Sequence, residues 1–455
     1  MPCTGCLEKQ LRIDELTAQV EHLRGRLRHQ ERTGREGNFG SATPSAKKPF
    51  KANGSEENRL KKGGARTGHT GHGRSKVDAD EAENVQEVSF TAERCPNCGG
   101  ELEGLGPRER SVIDLPEMRP RKTLYRLGRC RCRGCQKIFQ ARPPGVLPKN
   151  LYGNQLLAEV AADHYLHGIP MGRIVARLGL PVGGLQQAMH QLARLFAHIP
   201  ELLVREYRRA PVKHADETGW RNDGQSGYAW IFCTPSLTLF LFRKTRSSTV
   251  PREVFGSGRR TGVLVVDRYG GYNRIRGRIQ YCYAHLLRDV QDLEKEFPED
   301  TEVAAYVNTM VPLMTEACHL RGQTISDTRY YRRAREIRAG IEEATNRPAT
   351  HPGIQHIQNI FREQRDRMYH WSEDRRVPAE NNLAERQLRP TVIARKVSFG
   401  SQSDNGAKTR EILMSVLHTL KARGLDAKTR LKATLDAYAA GGGDPLNILF
   451  SPNTS

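Results

Sequence analysis

No apolar run in these 455 residues approaches the ~18 to 20 that a membrane-spanning helix needs, and no signal-peptide pattern opens the chain. The expectation is a soluble, cytoplasmic protein. Acids are also in short supply: 51 Asp and Glu stand against 72 Lys and Arg, for a formal net charge of +21. That balance disfavours neutral or cationic partners and favours a polyanion, nucleic acid foremost. Between 43 and 76 large apolar side chains are almost absent while nine are Lys or Arg, so this stretch cannot bury enough surface to offset chain entropy. The length allows two to four domains.

What is present begins with a charged, helix-prone segment from Leu11 to about Arg32. Ile13, Val20 and Leu27 recur at one seven-residue spacing and Leu16 and Leu23 at another, an a/d seam of under three heptads that contains Gly25. It predicts a coiled-coil helix over 1–36 that aids assembly; an amphipathic helix packed on its own chain is the alternative. Residues 37–85 read as a basic disordered linker. Within it Arg66, Arg74 and Lys76 lie among glycines that permit close approach to a phosphate backbone, with a merely solvated tether as the rival reading.

The ten cysteines sort by spacing. Seven cluster (Cys3 and Cys6; Cys95 and Cys98; Cys130, Cys132 and Cys135), while Cys233, Cys282 and Cys318 stand alone. Clustered thiols in an intracellular setting point to metal before disulfide. Two Cys-x-x-Cys knuckles, with Gly99 and Gly134 at their turns, predict a zinc-binding module over 86–145 with one structural Zn²⁺ on Cys95, Cys98, Cys132 and Cys135, Cys130 being the substitute. Such binding contributes on the order of 10 kcal/mol to folding. Residues 150–205 are helical in pattern and broken at Gly168-Ile169-Pro170 and Gly179-Leu180-Pro181, which predicts a helix-turn-helix-like DNA-binding domain. Arg173 is its DNA-binding residue and Gln186, Gln187 and His190 its base readers, against the alternative of an ordinary helical packing module.

Beyond 205 the character changes. Tyr228–Cys233 and Thr238–Arg243 form a hairpin signature around Thr234-Pro235-Ser236, and Asp216 is expected to end a weaker strand before it. The run Gly262-Val263-Leu264-Val265-Val266 reads as a buried strand with Asp267 at its tip, and Arg278–Tyr283 as another strand leading into a helix. This order predicts an RNase H-like α/β core, its first part over 206–298 and its second over 376–440, with a helical insertion at 299–375 and a tail at 441–455. The fold class is multidomain α+β. A late helix near 381–389 supplies Glu385. Carboxylates delivered to one point from separate elements are what Mg²⁺ or Mn²⁺ binds, because hard cations prefer oxygen, so the expected chemistry is metal-assisted phosphoryl transfer. Glu217 rivals Asp216 as a ligand, and His285 is either a phosphate-orienting residue or a packed or capping one.

In combination these segments resemble the transposases of the insertion sequence 66 family. The likeness rests on the heptad helix, the linker with Gly68-His69-Thr70-Gly71-His72, the Cys-x-x-Cys module and Asp216-Glu217-Thr218-Gly219-Trp220. It continues through Cys282-Tyr283-Ala284-His285, Asn381-Asn382-Leu383-Ala384-Glu385-Arg386, and Ala394-Arg395-Lys396 leading to Phe399-Gly400-Ser401. It covers nearly the whole chain, with Glu380 where the family usually has Asp and Tyr283 where it usually has Trp. The resemblance implies a DNA transposase with the catalytic triad Asp216, Asp267 and Glu385, holding two Mg²⁺ or Mn²⁺ ions with Asp216 shared. Strand cleavage and then attack by the freed 3′-hydroxyl on target DNA would follow. Arg386, Arg395 and Lys396 flank Glu385 and are the phosphate-binding candidates. Implied partners are double-stranded DNA (terminal inverted repeats and target), further copies of the chain in a homo-oligomer, and small accessory transposition proteins, in the bacterial cytoplasm at the nucleoid. Two other functions stay open: a catalytically inactive zinc-containing DNA-binding protein, and an RNase H-like nuclease on another nucleic acid.

Overall fold

A computed structural model describes residues 4–36, 80, 85, 88, 94, 96–101, 119–256, 258, 261–441 and 445–450. Arg66, Arg74, Lys76 and Cys95 lie outside the described residues. The chain divides into two compact units, Pro49–Lys122 and the larger Met1–Lys48 with Thr123–Ser455. In the smaller unit Cys98 is exposed in a turn, followed by Gly99 at a φ of 75°.

The larger unit opens on α1 (Thr4–Glu36). Its seam residues Ile13, Leu16, Val20, Leu23 and Leu27 are all exposed, from 44% to 62% when their neighbour Leu11 is included. A different face of α1 meets the rest of the unit: Gly25 abuts Phe297, Arg26 donates to the Thr350 carbonyl at 2.7 Å, and His22 and His29 face Asp300 and Glu296. A small hairpin follows, β1 (Arg129–Arg131) against β2 (Ile138–Gln140), and its turn holds Cys132 and Cys135. Next come α2 (Asn154–Ala161), α3 (Met171–Leu178), α4 (Val182–Leu195) and α5 (Ile199–Arg209). On α3, Met171, Ile174 and Leu178 bury one stripe at helical spacing. Gly179, at a φ of 64°, supplies the left-handed residue that ends α3 and lets the chain turn into α4.

A five-stranded mixed sheet forms the centre, from β3 (Val212–Asn222), β4 (Gln225–Thr234), β5 (Leu237–Arg243), β6 (Val263–Val266) and β7 (Arg278–Tyr281), with α6 (Thr249–Phe255) between β5 and β6. The order is β5-β4-β3-β6-β7: antiparallel from β5 to β3, parallel from β3 to β7. Residues 213–220 of β3 and all of β6 are buried, as in a sheet covered on both faces.

Helices α7 (Tyr283–Glu296), α8 (Thr301–Leu320), α9 (Asp327–Asn346), α10 (Pro352–Glu363) and α11 (His370–Glu373) follow the sheet. The chain then returns to it with α12 (Asn382–Ser398), packed on β3 and β4, and α13 (Asp404–Ala422), packed on the edge strand β5. The last helices are α14 (Ala427–Ala439) and α15 (Pro445–Phe450). The α13 contact is polar as well as apolar. Glu411, Ser415 and Thr419 accept the backbone N–H groups of Phe242, Phe240 and Thr238 at 3.2, 2.9 and 3.1 Å. Four residues of helix rise ~6 Å and two of strand ~6.6 Å, so the two repeats stay in step and the open edge of β5 is capped by side chains.

Candidate active site

The parallel pairing of β3 with β6 matches Lys213 to Leu264 and His214 to Val265. Carried two residues further, that register sets Asp216 level with Asp267, just past the end of β6. The sequence places Asp216 at a strand end, whereas it lies mid-strand in β3, which continues to Asn222 on the strength of its pairing with β4. What ends beside Asp216 is the neighbouring strand. One oxygen from each of Asp216, Glu217 and Asp267 falls within 4.8 Å of the others.

These acids differ in what they bind. Asp216 is buried and takes the Glu217 N–H at 2.8 Å; burial, then the charges of Glu217, Asp267 and Glu385, hold its carboxyl well above the usual range. Glu217 is committed within the fold. Its Oε1 accepts Arg246 at 2.9 and 2.6 Å and its Oε2 accepts the Tyr272 hydroxyl at 2.7 Å. Burial and the nearby Asp267 still push it up to about 7 against the pull of Arg246. The guanidinium of Arg246 sits 3.7 Å from the centre of the Tyr269 ring, and the Tyr269 N–H caps Asp267 Oδ1 at 3.0 Å.

Glu385 stands in the first turn of α12, half-buried, with Oε1 3.8 Å from Arg288 and 3.9 Å from His285 Nε2. Burial raises its carboxyl and Asp267 raises it further, while Arg288 lowers it. Thus the charge of Glu385 is felt by both Asp216 and Asp267. Cys282, His285 and Glu385 also offer ligand atoms within 4.8 Å of one another.

The entry of α12 is held by a residue that sequence reasoning passed over. Asn381, fully buried, donates from Nδ2 to the Ala215 carbonyl at 2.9 Å, places Oδ1 2.9 Å from His214 Nδ1, and gives its own N–H to Cys282 Sγ at 3.1 Å. Burial lowers the His214 ring to about 4, which keeps it neutral as a partner for the amide. The available signal was the Asn381-Asn382 pair just ahead of a helix-borne acid. Arg246 and Tyr272, which bind Glu217, had none.

The other expected site residues are dispersed. Arg386 and Lys396 are exposed on α12, whereas Arg395 turns inward to Thr218 Oγ1 at 3.1 Å and the Gly219 carbonyl at 2.9 Å. Arg173 is exposed on α3; on α4, Gln187 is exposed and His190 meets Thr409 Oγ1 at 2.6 Å. Cys132 and Cys135 are exposed in their hairpin turn, and hydrogen bonds from the Cys135 and Gly134 backbone and the Cys135 thiol lower the Cys132 thiol.

A mixed sheet with two buried carboxylates in β3 beside the end of β6, and a helix returning to pack on it, defines an α+β protein. Residues 149–409 match the family described as transposase IS66, and the chain belongs to that family. Its role is that of a transposase, with DNA as the partner. A domain of unknown function, DUF6431, matches residues 95–174. Two proteins of Sinorhizobium fredii (strain NBRC 101917 / NGR234), both described as uncharacterized, are similar over most of their length. The protein y4qI is 24% identical over 407 residues, covering 79% of this chain and 73% of the relative; y4jD is 22% identical over 396 residues, covering 76% and 75%. Among the described residues no helix is long and apolar enough to cross a membrane.

Proposed function

We propose that this transposase cleaves the ends of its element and joins the freed 3′ end to target DNA, using an RNase H-like core in which Asp216, Asp267 and Glu385 form the triad. The observation that carries this reading is the alignment of Asp216 with Asp267 at the end of β6, with Glu385 within electrostatic reach of both. Asp216 and Asp267 offer carboxylate oxygens within 4.8 Å of one another, the donors a hard divalent cation takes, and the like charges of Glu217, Asp267 and Glu385 raise the proton affinity of Asp216. Asp216, Asp267 and Glu385 would hold Mg²⁺ or Mn²⁺. Bound there, the metal supplies Lewis-acid activation of the attacking hydroxyl and charge neutralisation at the scissile phosphate.

The chain's own groups account for the rest. Glu217, tied at both oxygens, fixes the strand beneath Asp216 and leaves Asp216 as the ligand on β3. Arg288 beside Glu385 and Arg386 on the exposed side of α12 supply cations to phosphate oxygens near the acids. The exposed seam of α1 is proposed to pair with another copy of the chain in a synaptic homo-oligomer.

The test is Mg²⁺-dependent nicking of duplexes carrying the terminal inverted repeats. Asp216→Asn, Asp267→Asn and Glu385→Gln should each lower the rate by about a thousandfold or more while DNA binding is kept. Nicking that persists in all three variants overturns the triad, and binding without nicking by the unaltered protein overturns the enzyme reading.

A further inference from the structure

Helix α12 begins at the acids and leads away from them along one exposed row. Arg386, Arg389, Ile393, Lys396 and Val397 recur at i, i+3, i+7, i+10 and i+11, and all are exposed, Ile393 by 51% and Val397 by 42%. The opposite row, Ala384, Leu388, Thr391 and Ala394, is buried where the helix packs on β3 and β4. Glu385 is the only acid in the helix, so beyond the site its outer face is cationic and apolar.

The row ends at Phe399, 75% exposed and held at a φ of 60°, a left-handed backbone that bulky residues rarely adopt. The chain just after it is anchored. Ser401 donates its N–H to the Arg221 carbonyl at 2.9 Å, its own carbonyl accepts the Asp223 N–H at 2.8 Å, and its Oγ accepts Trp220 Nε1 at 3.1 Å. Gly400, at a φ of 141°, has no room for a Cβ against the Arg221 carbonyl. Phe399 thus ends the helix as its left-handed cap, and the joint to the end of β3 that follows holds its aromatic ring out in solvent, where glycine would serve the turn without a ring.

We propose that this face carries DNA away from the scissile phosphate and that Phe399 stacks on a base taken out of the duplex. This rests on the transposase reading above. Cations spaced along the helix match the phosphates of one strand, and an aromatic face stacks on any base regardless of sequence. From Glu385 to Phe399 the helix rises about 21 Å, the length of about six base steps, which sets where the unstacked base should lie.

The experiment uses the full chain and terminal-repeat duplexes with 2-aminopurine placed singly from the third to the ninth position beyond the scissile bond, in Ca²⁺ to block cleavage. Binding should change the fluorescence sharply at one position near the sixth. Phe399→Ala and Phe399→Gly should abolish that change and weaken binding about tenfold, Phe399→Trp should keep both, and an abasic site at that position should make Phe399→Ala equal to the unaltered protein. Glycine accepts the left-handed backbone, so Phe399→Gly should melt no lower, which separates loss of stacking from loss of fold. An unchanged signal in Phe399→Ala, with cleavage intact, overturns this proposal alone. A changed sedimentation coefficient with an unchanged signal also overturns it, assigning the face to a second copy. Failure of the unaltered protein to bind the duplex overturns the transposase reading and this proposal together.

Discussion

Asn381 Oδ1 and His214 Nδ1 lie 2.9 Å apart, a buried bond between residues 167 positions apart that joins the entry of α12 to the strand bearing Asp216. Together with the bond from Asn381 to the Ala215 carbonyl, it sets where Glu385 stands relative to Asp216. Replacing Asn381 by Ala leaves a buried ring nitrogen and a buried carbonyl without their partner, at a cost of about 1–3 kcal/mol. Cleavage should fall by about a hundredfold, because a displacement near 1 Å is enough for that loss. Stopped-time nicking assays beside thermal melts check it: a rate that falls no further than the melt accounts for rules out a positioning role.

Asp216 is held in the fold at a cost to stability. Its carboxyl is raised above the usual range by burial and by Glu217, Asp267 and Glu385, so its stabilising contribution is present below the unfolded-state pKa and lost as pH rises through the folded-state value. Asp216→Asn removes the carboxyl whose ionised form burial and the neighbouring acids disfavour. In chelator at pH 7–8 the variant should melt a few degrees higher than the unaltered protein, at about 2–4 °C per kcal/mol, while losing activity. Mn²⁺ should raise the melting temperature of the unaltered protein and leave the variant's nearly unchanged. An equal metal response in both would remove Asp216 from the ligand set.

Ser415 caps the edge strand by accepting the Phe240 N–H. Ser415→Ala leaves that buried donor unpaired and should destabilise by about 1–3 kcal/mol, with denaturant melts reporting the loss as a lower midpoint at constant slope. Ser415→Val should cost more, since the added methyl enters a packed helix–strand contact.

His418 is buried, with Nε2 3.2 Å from the Tyr165 carbonyl and its ring edge-on to Phe240 at 5.1 Å. Burial is the main cause of its fall from 6.5 to about 4. Neutral in the fold and protonated when unfolded, it contributes stability that is complete above pH 6.5 and lost as pH falls through about 4, with a slope up to about 1.4 kcal/mol per pH unit. His418→Gln should flatten the acid limb of the stability profile between pH 6.5 and 4. An unchanged slope would show that the ring is already charged in the folded protein.

Some of this was legible in the residues. Asp267 stood out because a parallel strand buried on both faces is written as an unbroken apolar run, Val263–Val266, and the acid after it must lie at the strand's end. The helix α1 was legible from its heptads, but its docking through His22, Gly25, Arg26 and His29 was not, since a polar face gives no periodic signal. The centre of β3 was misleading. Lys213, His214, Asp216 and Glu217 make it look like the end of a weak strand, yet tertiary partners hold most of them. Thr261 and Ala210 carbonyls take the Lys213 ammonium, Asn381 takes His214, and Arg246 and Tyr272 take Glu217.

By itself the sequence determined which strand delivers Asp267 and that a late helix carries Glu385, because these follow from residue type and local periodicity. Only the tertiary structure decided that Asp216 comes level with Asp267 and that Glu385 lies close enough for its charge to raise Asp216. That depends on the register of β3 against β6 and on the return of α12, pinned by Asn381, after more than a hundred intervening residues. Such relations are set by long-range hydrogen bonds and packing, which leave no periodic trace in the chain.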